Sequence, residues 1–72
     1  KVKKVYRVLL DKALCPQDRT RMEKGLMLEG KKTVPCRVRM GKRGAVEVTL
    51  TEGRKRQIRK MFAQMGYRVQ EL

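Results

Sequence analysis

Residues 45–65 read AVEVTLTEGRKRQIRKMFAQM, and the spacing of their apolar residues changes at Gly53. Before this glycine every second residue is apolar, which predicts a strand with one buried face over Ala45–Thr51. From Arg54 to Met65 the apolar residues follow the i, i+3, i+4, i+7 spacing of an amphipathic helix. The residues of this apolar stripe are Ile58, Met61, Phe62 and Met65. A strand followed by a helix with one apolar face is therefore the centre of the predicted fold.

The amino-terminal third of the chain predicts a strand and a helix. Lys3–Asp11 is rich in Val, Leu and Tyr, which favours a strand. Alternation places four of its side chains on one side: Lys4, Tyr6, Val8 and Leu10. Pro16 suits the first turn of a helix that runs to about Glu23 and stops at Gly25.

The middle of the chain predicts a hairpin. Thr33–Met40 alternates cleanly, with Val34, Cys36, Val38 and Met40 on its apolar side. Pro35 cannot donate a ladder hydrogen bond, so we expect an edge or a bulge there. Gly41–Gly44 forms the loop to the next strand, since its two glycines relax the limits on φ.

Three shorter signals complete the order of elements. Leu26–Glu29 is a short apolar piece before a turn at residues 30–32, Gly66 ends the second helix, and Tyr67–Leu72 predicts a last strand. The predicted fold is α+β, in the order β-α-β-β-β-α-β, with a mostly antiparallel sheet and two helices on one face. Because the 72 residues begin and end in strand-like runs without an initiator Met, we expect residues 1–72 to be a single-domain fragment of a larger protein.

The charge of the chain predicts a polyanionic partner. Twenty Lys and Arg against seven Asp and Glu give a formal net charge of +13, which favours nucleic acid over a merely solubilising surface. The sequence has no apolar run of the length that a membrane span needs and no signal-peptide pattern. We therefore expect a cytoplasmic protein that does not bind membranes.

The two cysteines predict neither a metal site nor a disulfide. Cys15 and Cys36 are too far apart for a metal knuckle, and the chain has no His. Both have apolar neighbours, so we expect reduced thiols in the core.

The start of the second helix is the strongest candidate for a binding element. Five of the seven residues from position 54 to 60 are basic: Arg54, Lys55, Arg56, Arg59 and Lys60. Cations at a helix amino terminus are unfavourable without an anion, whereas the unpaired N–H groups there favour a phosphate. The alternative is an ordinary solvated face. Arg59 borders the apolar stripe, so we expect it to pair with a carboxylate, either Glu52 or one outside this chain.

The stretch Glu52–Phe62, EGRKRQIRKMF, closely resembles the third sequence motif of bacterial pseudouridine synthases of the group named after the small-subunit ribosomal enzyme. That pattern is Glu-Gly-Arg, any residue, Arg-Gln, an aliphatic residue, Arg, a basic residue and Met. The sister group usually has His where this chain has Arg56. Lys4-Val5-Tyr6 resembles the Lys-any-Tyr motif of the same family, and together the resemblance spans essentially the whole chain.

The resemblance implies an enzyme that flips a uridine out of ribosomal RNA and isomerises it to pseudouridine without a cofactor or a metal. It implies catalytic roles for Tyr6, which would pack against the base, and for Arg59, which would hold the catalytic Asp ionised. The RNA phosphates would be held by Lys4, Arg54, Lys55, Arg56 and Lys60. The Gly-Arg-Leu-Asp motif that carries this Asp does not occur in the chain, so the resemblance implies an inactive fragment whose partner is the amino-terminal part of the same domain.

A second interpretation stays open, namely a noncatalytic RNA-binding module of a ribosome-associated protein. It needs only the basic face of the second helix and no catalytic Asp upstream. Membrane-surface binding is disfavoured because the chain lacks an aromatic-rich amphipathic helix.

Overall fold

A computed structural model describes residues 3–51 and 55–72 of the chain. Glu52, Gly53 and Arg54 lie outside the described residues, as does the side chain of Lys55. The elements in chain order are β1 (Lys4–Leu10), α1 (Pro16–Lys24), β2 (Met27–Leu28), β3 (Lys31–Lys32), β4 (Arg37–Met40), β5 (Ala45–Leu50), α2 (Lys55–Gln64) and β6 (Val69–Glu71). The predicted α+β class and order of elements are confirmed. The segment expected to be only a turn also contributes the two-residue strand β3.

The main sheet has four strands in the order β4-β5-β1-β6, and every neighbouring pair is antiparallel. Strands β2 and β3 form a separate antiparallel pair. Because β1 lies between β5 and β6, α2 has to cross β1 to connect them. The helix is thereby held over the centre of the sheet.

The core lies between one face of this sheet and the two helices. Burial alternates along β5, where Val46, Val48 and Leu50 are buried, as the period-2 pattern predicts. The α2 stripe is more deeply buried, since Ile58, Met61 and Phe62 are each 0% exposed. From α1, Met22 alone is buried, so this helix contributes far less to the core.

Strand β4 is shorter than the alternating pattern of Thr33–Met40 predicts. It begins only at Arg37, because Pro35 has no N–H for the ladder and the N–H of Cys36 donates to the Glu23 carbonyl at 3.2 Å. Val34 and Met40 are 44% and 39% exposed, so the expected apolar side is buried only at Val38. The predicted edge is confirmed, because β4 is an outer strand of the sheet.

The end of α2 is stopped by a Schellman motif built on Gly66. Its N–H donates to the Ala63 carbonyl at 3.0 Å, and the Tyr67 N–H donates to the Phe62 carbonyl at 2.9 Å. Gly66 has a φ of 93°, a conformation that favours glycine. The motif turns the Tyr67 ring back against Phe62, with ring centroids 6.2 Å apart in an edge-to-face arrangement.

The buried Tyr67 side chain ties α1 to the end of α2. Its hydroxyl accepts a hydrogen bond from the Cys15 N–H at 2.9 Å and donates one to Oδ2 of Asp18 at 2.7 Å. Burial raises the pKa of Tyr67; the Cys15 hydrogen bond opposes this shift and Asp18 adds to it. Cys15 itself is exposed, so its predicted place in the core is wrong. Its backbone, which caps α1, makes the structural contact.

We expect Tyr67→Phe to lower the free energy of unfolding by about 1–3 kcal/mol, because the Cys15 N–H loses its acceptor and Oδ2 of Asp18 loses its donor. Urea denaturation with a common m-value measures the change. The matched control is Tyr6→Phe, since the hydrogen bonds recorded among the described residues do not involve the Tyr6 hydroxyl. Tyr6→Phe should lower the free energy of unfolding by less than about 0.5 kcal/mol. Equal losses in the two variants would contradict the assigned role of Tyr67.

Stability should also fall in alkaline solution because of Cys36. Burial, with Glu23 adding to it, raises the pKa of this half-buried thiol to about 11 from an ordinary value of 9.0. As the pH rises, the unfolded chain therefore loses the thiol proton before the folded chain does. The contribution of the protonated thiol to the free energy of unfolding is complete below pH 9 and is lost as the pH rises from 9 to about 11. Unfolding curves of Cys36→Ala should lack that component, whereas Cys15→Ala should retain it. A pH dependence that Cys36→Ala leaves unchanged would disprove the assignment.

Candidate nucleic-acid interface

Three of the exposed side chains of α2 are basic. Arg56, Arg59 and Lys60 are exposed, and the first turn of the helix contains no acidic residue among those described. Successive residues of an α-helix are about 100° apart. Arg56 and Lys60 therefore lie opposite the apolar stripe, and Arg59 lies on its flank. The predicted basic face of the helix thus projects outward at these three positions.

Lys60 is engaged in an ion pair. Its Nζ lies 3.1 Å from both carboxylate oxygens of Glu29, in the turn between β2 and β3. The side chains are 47% and 70% exposed, so the pair contributes roughly 0–1 kcal/mol to stability and is screened by salt. A phosphate can displace Glu29 at little cost.

Arg59 lies in a shallow polar depression of about 500 Å³ beside the edge strand β6. Asp11, which follows β1, and Arg68, which precedes β6, line the same depression. The ion pairs recorded among the described residues do not include Arg59. Its expected partner Glu52 lies outside those residues. Arg59 is exposed, and it shares the depression with Asp11, which follows the carboxyl end of the tyrosine-bearing first strand.

Lys4 lies at the opposite end of β1, and Tyr6 is the third of the seven residues of this strand. Lys4 is exposed and pairs in register with Leu50, the last residue of β5. Tyr6 is half-buried against the core, on the side of the sheet that the helices cover. Because β5 ends at Leu50 and α2 begins at Lys55, Lys4 lies at the end of the sheet from which the chain continues to this helix. Among the described residues, Tyr6 is not one of those that line the depression beside Arg59.

The other face of the sheet also carries arginines, with part of their charge neutralised. Arg39, Glu47 and Arg7 lie in one row across β4, β5 and β1. Nε of Arg7 lies 3.6 Å from Oε2 of Glu47. This row combines both signs of charge, in contrast to the exposed side of α2.

Two acidic residues near the basic helix were not singled out from the sequence. Glu29 is separated from Lys60 by 31 positions, and Asp11 follows β1 at a strand end. Each is an isolated acidic residue in a turn, where carboxylates are common, so no local pattern indicates that α2 packs beside them.

Across residues 3–51 and 55–72, neither helix has the length and apolar character needed to cross a membrane. The same residues contain no group of three or more potential metal ligands.

Comparison with known proteins gives a match among solved structures. No family model and no curated protein sequence matches this chain. Among the solved structures that match, a crystal structure described as that of a pseudouridylate synthase is similar with a TM-score of 0.86 at 28% sequence identity. The similarity covers 94% of this chain and 30% of that chain, so this chain spans less than a third of the length of its neighbour. The fold described above is thus shared with a pseudouridylate synthase over nearly the whole chain.

Substitutions at two neighbouring residues of α2 test whether the Arg59 side chain stabilises the fold or serves only at the surface. Ile58→Ala should cost about 2–5 kcal/mol, because it opens a cavity in the core. Arg59→Ala should change the free energy of unfolding by no more than about 0.5 kcal/mol, because the side chain is exposed. Chemical denaturation measures both. A loss above about 1.5 kcal/mol for Arg59→Ala would show that the guanidinium supports the fold instead of a ligand.

Proposed function

We propose that this chain is part of the catalytic domain of a pseudouridine synthase of the small-subunit-enzyme group, which converts a uridine of ribosomal RNA to pseudouridine in the cytoplasm. The observation that carries the proposal is the structural similarity to a pseudouridylate synthase across 94% of the chain. The motif resemblance at residues 52–62 and the outward basic side chains of α2 support it further.

The proposed reaction is an isomerisation in which no atoms are gained or lost. The bond between N1 of the base and C1′ of the ribose breaks, the base turns, and a bond from C5 to C1′ forms. The proton on C5 leaves, and N1 gains one. Such a reaction needs a base that is flipped out of the RNA, an oriented carboxylate and a proton acceptor.

Tyr6 and Arg59 receive the two catalytic roles in this proposal. The Tyr6 ring offers a stacking face for the flipped uracil, and its hydroxyl can help to move the C5 proton. Arg59 keeps the catalytic carboxylate ionised and oriented. Support for the latter comes from the exposure of Arg59 at the edge of the sheet, where a carboxylate from another segment can approach it. Lys4, Arg54, Lys55, Arg56 and Lys60 bind phosphates.

The catalytic carboxylate is proposed to come from a segment outside these 72 residues, and the isolated chain is proposed to be inactive. Asp11 lies beside Arg59 but is a poor candidate for this carboxylate. Its Oδ1 accepts a hydrogen bond from the Arg68 N–H at 2.9 Å, so it braces the turn before β6. This chain covers 30% of the neighbouring structure, so the remainder of a protein of that length can supply such a segment.

The alternative is a noncatalytic RNA-binding module, which the net charge of +13 alone would favour. The two interpretations differ in the reading frame upstream of Lys1. The enzyme requires a Gly-Arg-Leu-Asp type motif there, and the binding module does not.

The decisive experiment measures pseudouridine in ribosomal RNA with the protein made from the whole reading frame that contains this chain. Arg59→Ala should lower the rate about a hundredfold or more, the scale of losing one electrostatic group at an active site. Its RNA affinity should stay within about threefold, because Arg59 is assigned to the carboxylate and not to a phosphate. The control Arg43→Ala removes an exposed arginine of the β4–β5 loop and should leave the rate unchanged. Normal turnover by Arg59→Ala would refute its catalytic role, and absence of pseudouridine formation by the unaltered protein would refute the enzyme.

A further inference from the structure

The hairpin formed by β2 and β3 has a well-defined turn. Glu29 and Gly30 form a two-residue loop with φ values of 52° and 83°. Positive φ at both positions is typical of the type I′ turn, whose twist matches that of the adjoining strands. The two faces of the hairpin are thereby fixed. Leu28 pairs with Lys31, and Met27 pairs with Lys32.

Two contacts dock this hairpin on the body of the protein. Leu28 is half-buried and packs against the core, and Glu29 accepts hydrogen bonds from Lys60 of α2. The face of the hairpin that carries Leu28 is therefore turned toward the body, while Met27 on the other face is 60% exposed.

The two lysines of β3 consequently lie in different surroundings. Side chains that pair directly across antiparallel strands lie on the same face. Lys31 shares the face of Leu28, beside the Glu29–Lys60 contact with α2, and it remains exposed. Lys32 lies on the Met27 face, where its Cε is 3.3 Å from the position that a Cβ on Gly25 would occupy.

From this arrangement we infer that the β2–β3 hairpin is an RNA-binding arm, in which Lys31 contacts the phosphates of an RNA strand that lies along the exposed side of α2. The inference rests on the proposed function, because that function makes RNA the ligand. It adds an RNA contact outside residues 52–62, which carry the motif resemblance. Glu29 is neutralised by Lys60, which lies one helical turn from Arg56, so the two lysines of β3 give the hairpin a net positive charge. A lysine ammonium is a point charge on a flexible stem, which suits the backbone of RNA and not the edges of its bases.

The test is the affinity of this chain for a fluorescein-labelled, uridine-containing RNA stem-loop, titrated at several salt concentrations. Lys31→Glu should weaken binding roughly tenfold at low salt and lower the slope of log affinity against log salt by about one. The controls are Lys32→Glu, of the same residue type in the same strand, and Lys42→Glu, in the β4–β5 loop. Each should weaken binding by less than about threefold, the nonspecific effect of the same charge change.

The outcomes separate this inference from the proposed function. Equal losses in all three variants, or no loss in Lys31→Glu, would overturn the RNA-binding arm even if the whole protein forms pseudouridine normally. If the unaltered chain did not bind the stem-loop at all, the RNA-binding arm would be overturned, whereas the proposed function would be refuted only if the protein from the whole reading frame formed no pseudouridine. Circular dichroism verifies that each variant is folded. If Lys31→Glu disrupts the hairpin, Lys31→Gln is used in its place. On a logarithmic scale, this variant should lose about half as much affinity as expected for Lys31→Glu, with the same change in the salt slope.

Discussion

The packing of α2 on the sheet is the constraint on which the other features of this molecule depend. Burial of Ile58, Met61 and Phe62 contributes roughly 1.5–3 kcal/mol for each side chain, whereas an exposed ion pair contributes about 0–1 kcal/mol. The rotation of the helix about its axis is therefore set by the apolar stripe and not by its charges. A shift of one residue would rotate the helix by about 100° and bring Arg59 toward the core in place of Ile58.

The apolar contacts leave the positive charge of the chain largely uncompensated. The ion pairs of the described residues involve four acidic side chains, namely Asp18, Glu23, Glu29 and Glu47, against a total of 20 Lys and Arg in the sequence. All four pairs are at least partly exposed, so salt and competing anions weaken them readily. A polyanion that binds along α2 would relieve repulsion that the protein alone does not remove.

The Tyr67 contacts give the carboxyl end of α2 a fixed position. Because this residue follows the Schellman turn, it holds the end of α2 against α1 while β6 continues along the sheet. Arg59 lies five residues before the last residue of α2 and lines the depression beside β6. The flank of the helix that carries the guanidinium is thus held steady by contacts on other residues, which is the support that an exposed functional side chain needs.

Local patterns in the sequence determined the class of the fold, the order of its elements, the buried stripe of α2 and the stop at Gly66. They could do so because periodic burial and a glycine in the left-handed conformation each produce a recognisable pattern within a few neighbouring residues. Only the tertiary structure decided the strand order β4-β5-β1-β6, the late start of β4, and the pairs Lys60–Glu29 and Tyr67–Asp18. These depend on which faces of distant elements meet, and that choice minimises exposed apolar surface over the whole molecule, a property that no single segment carries.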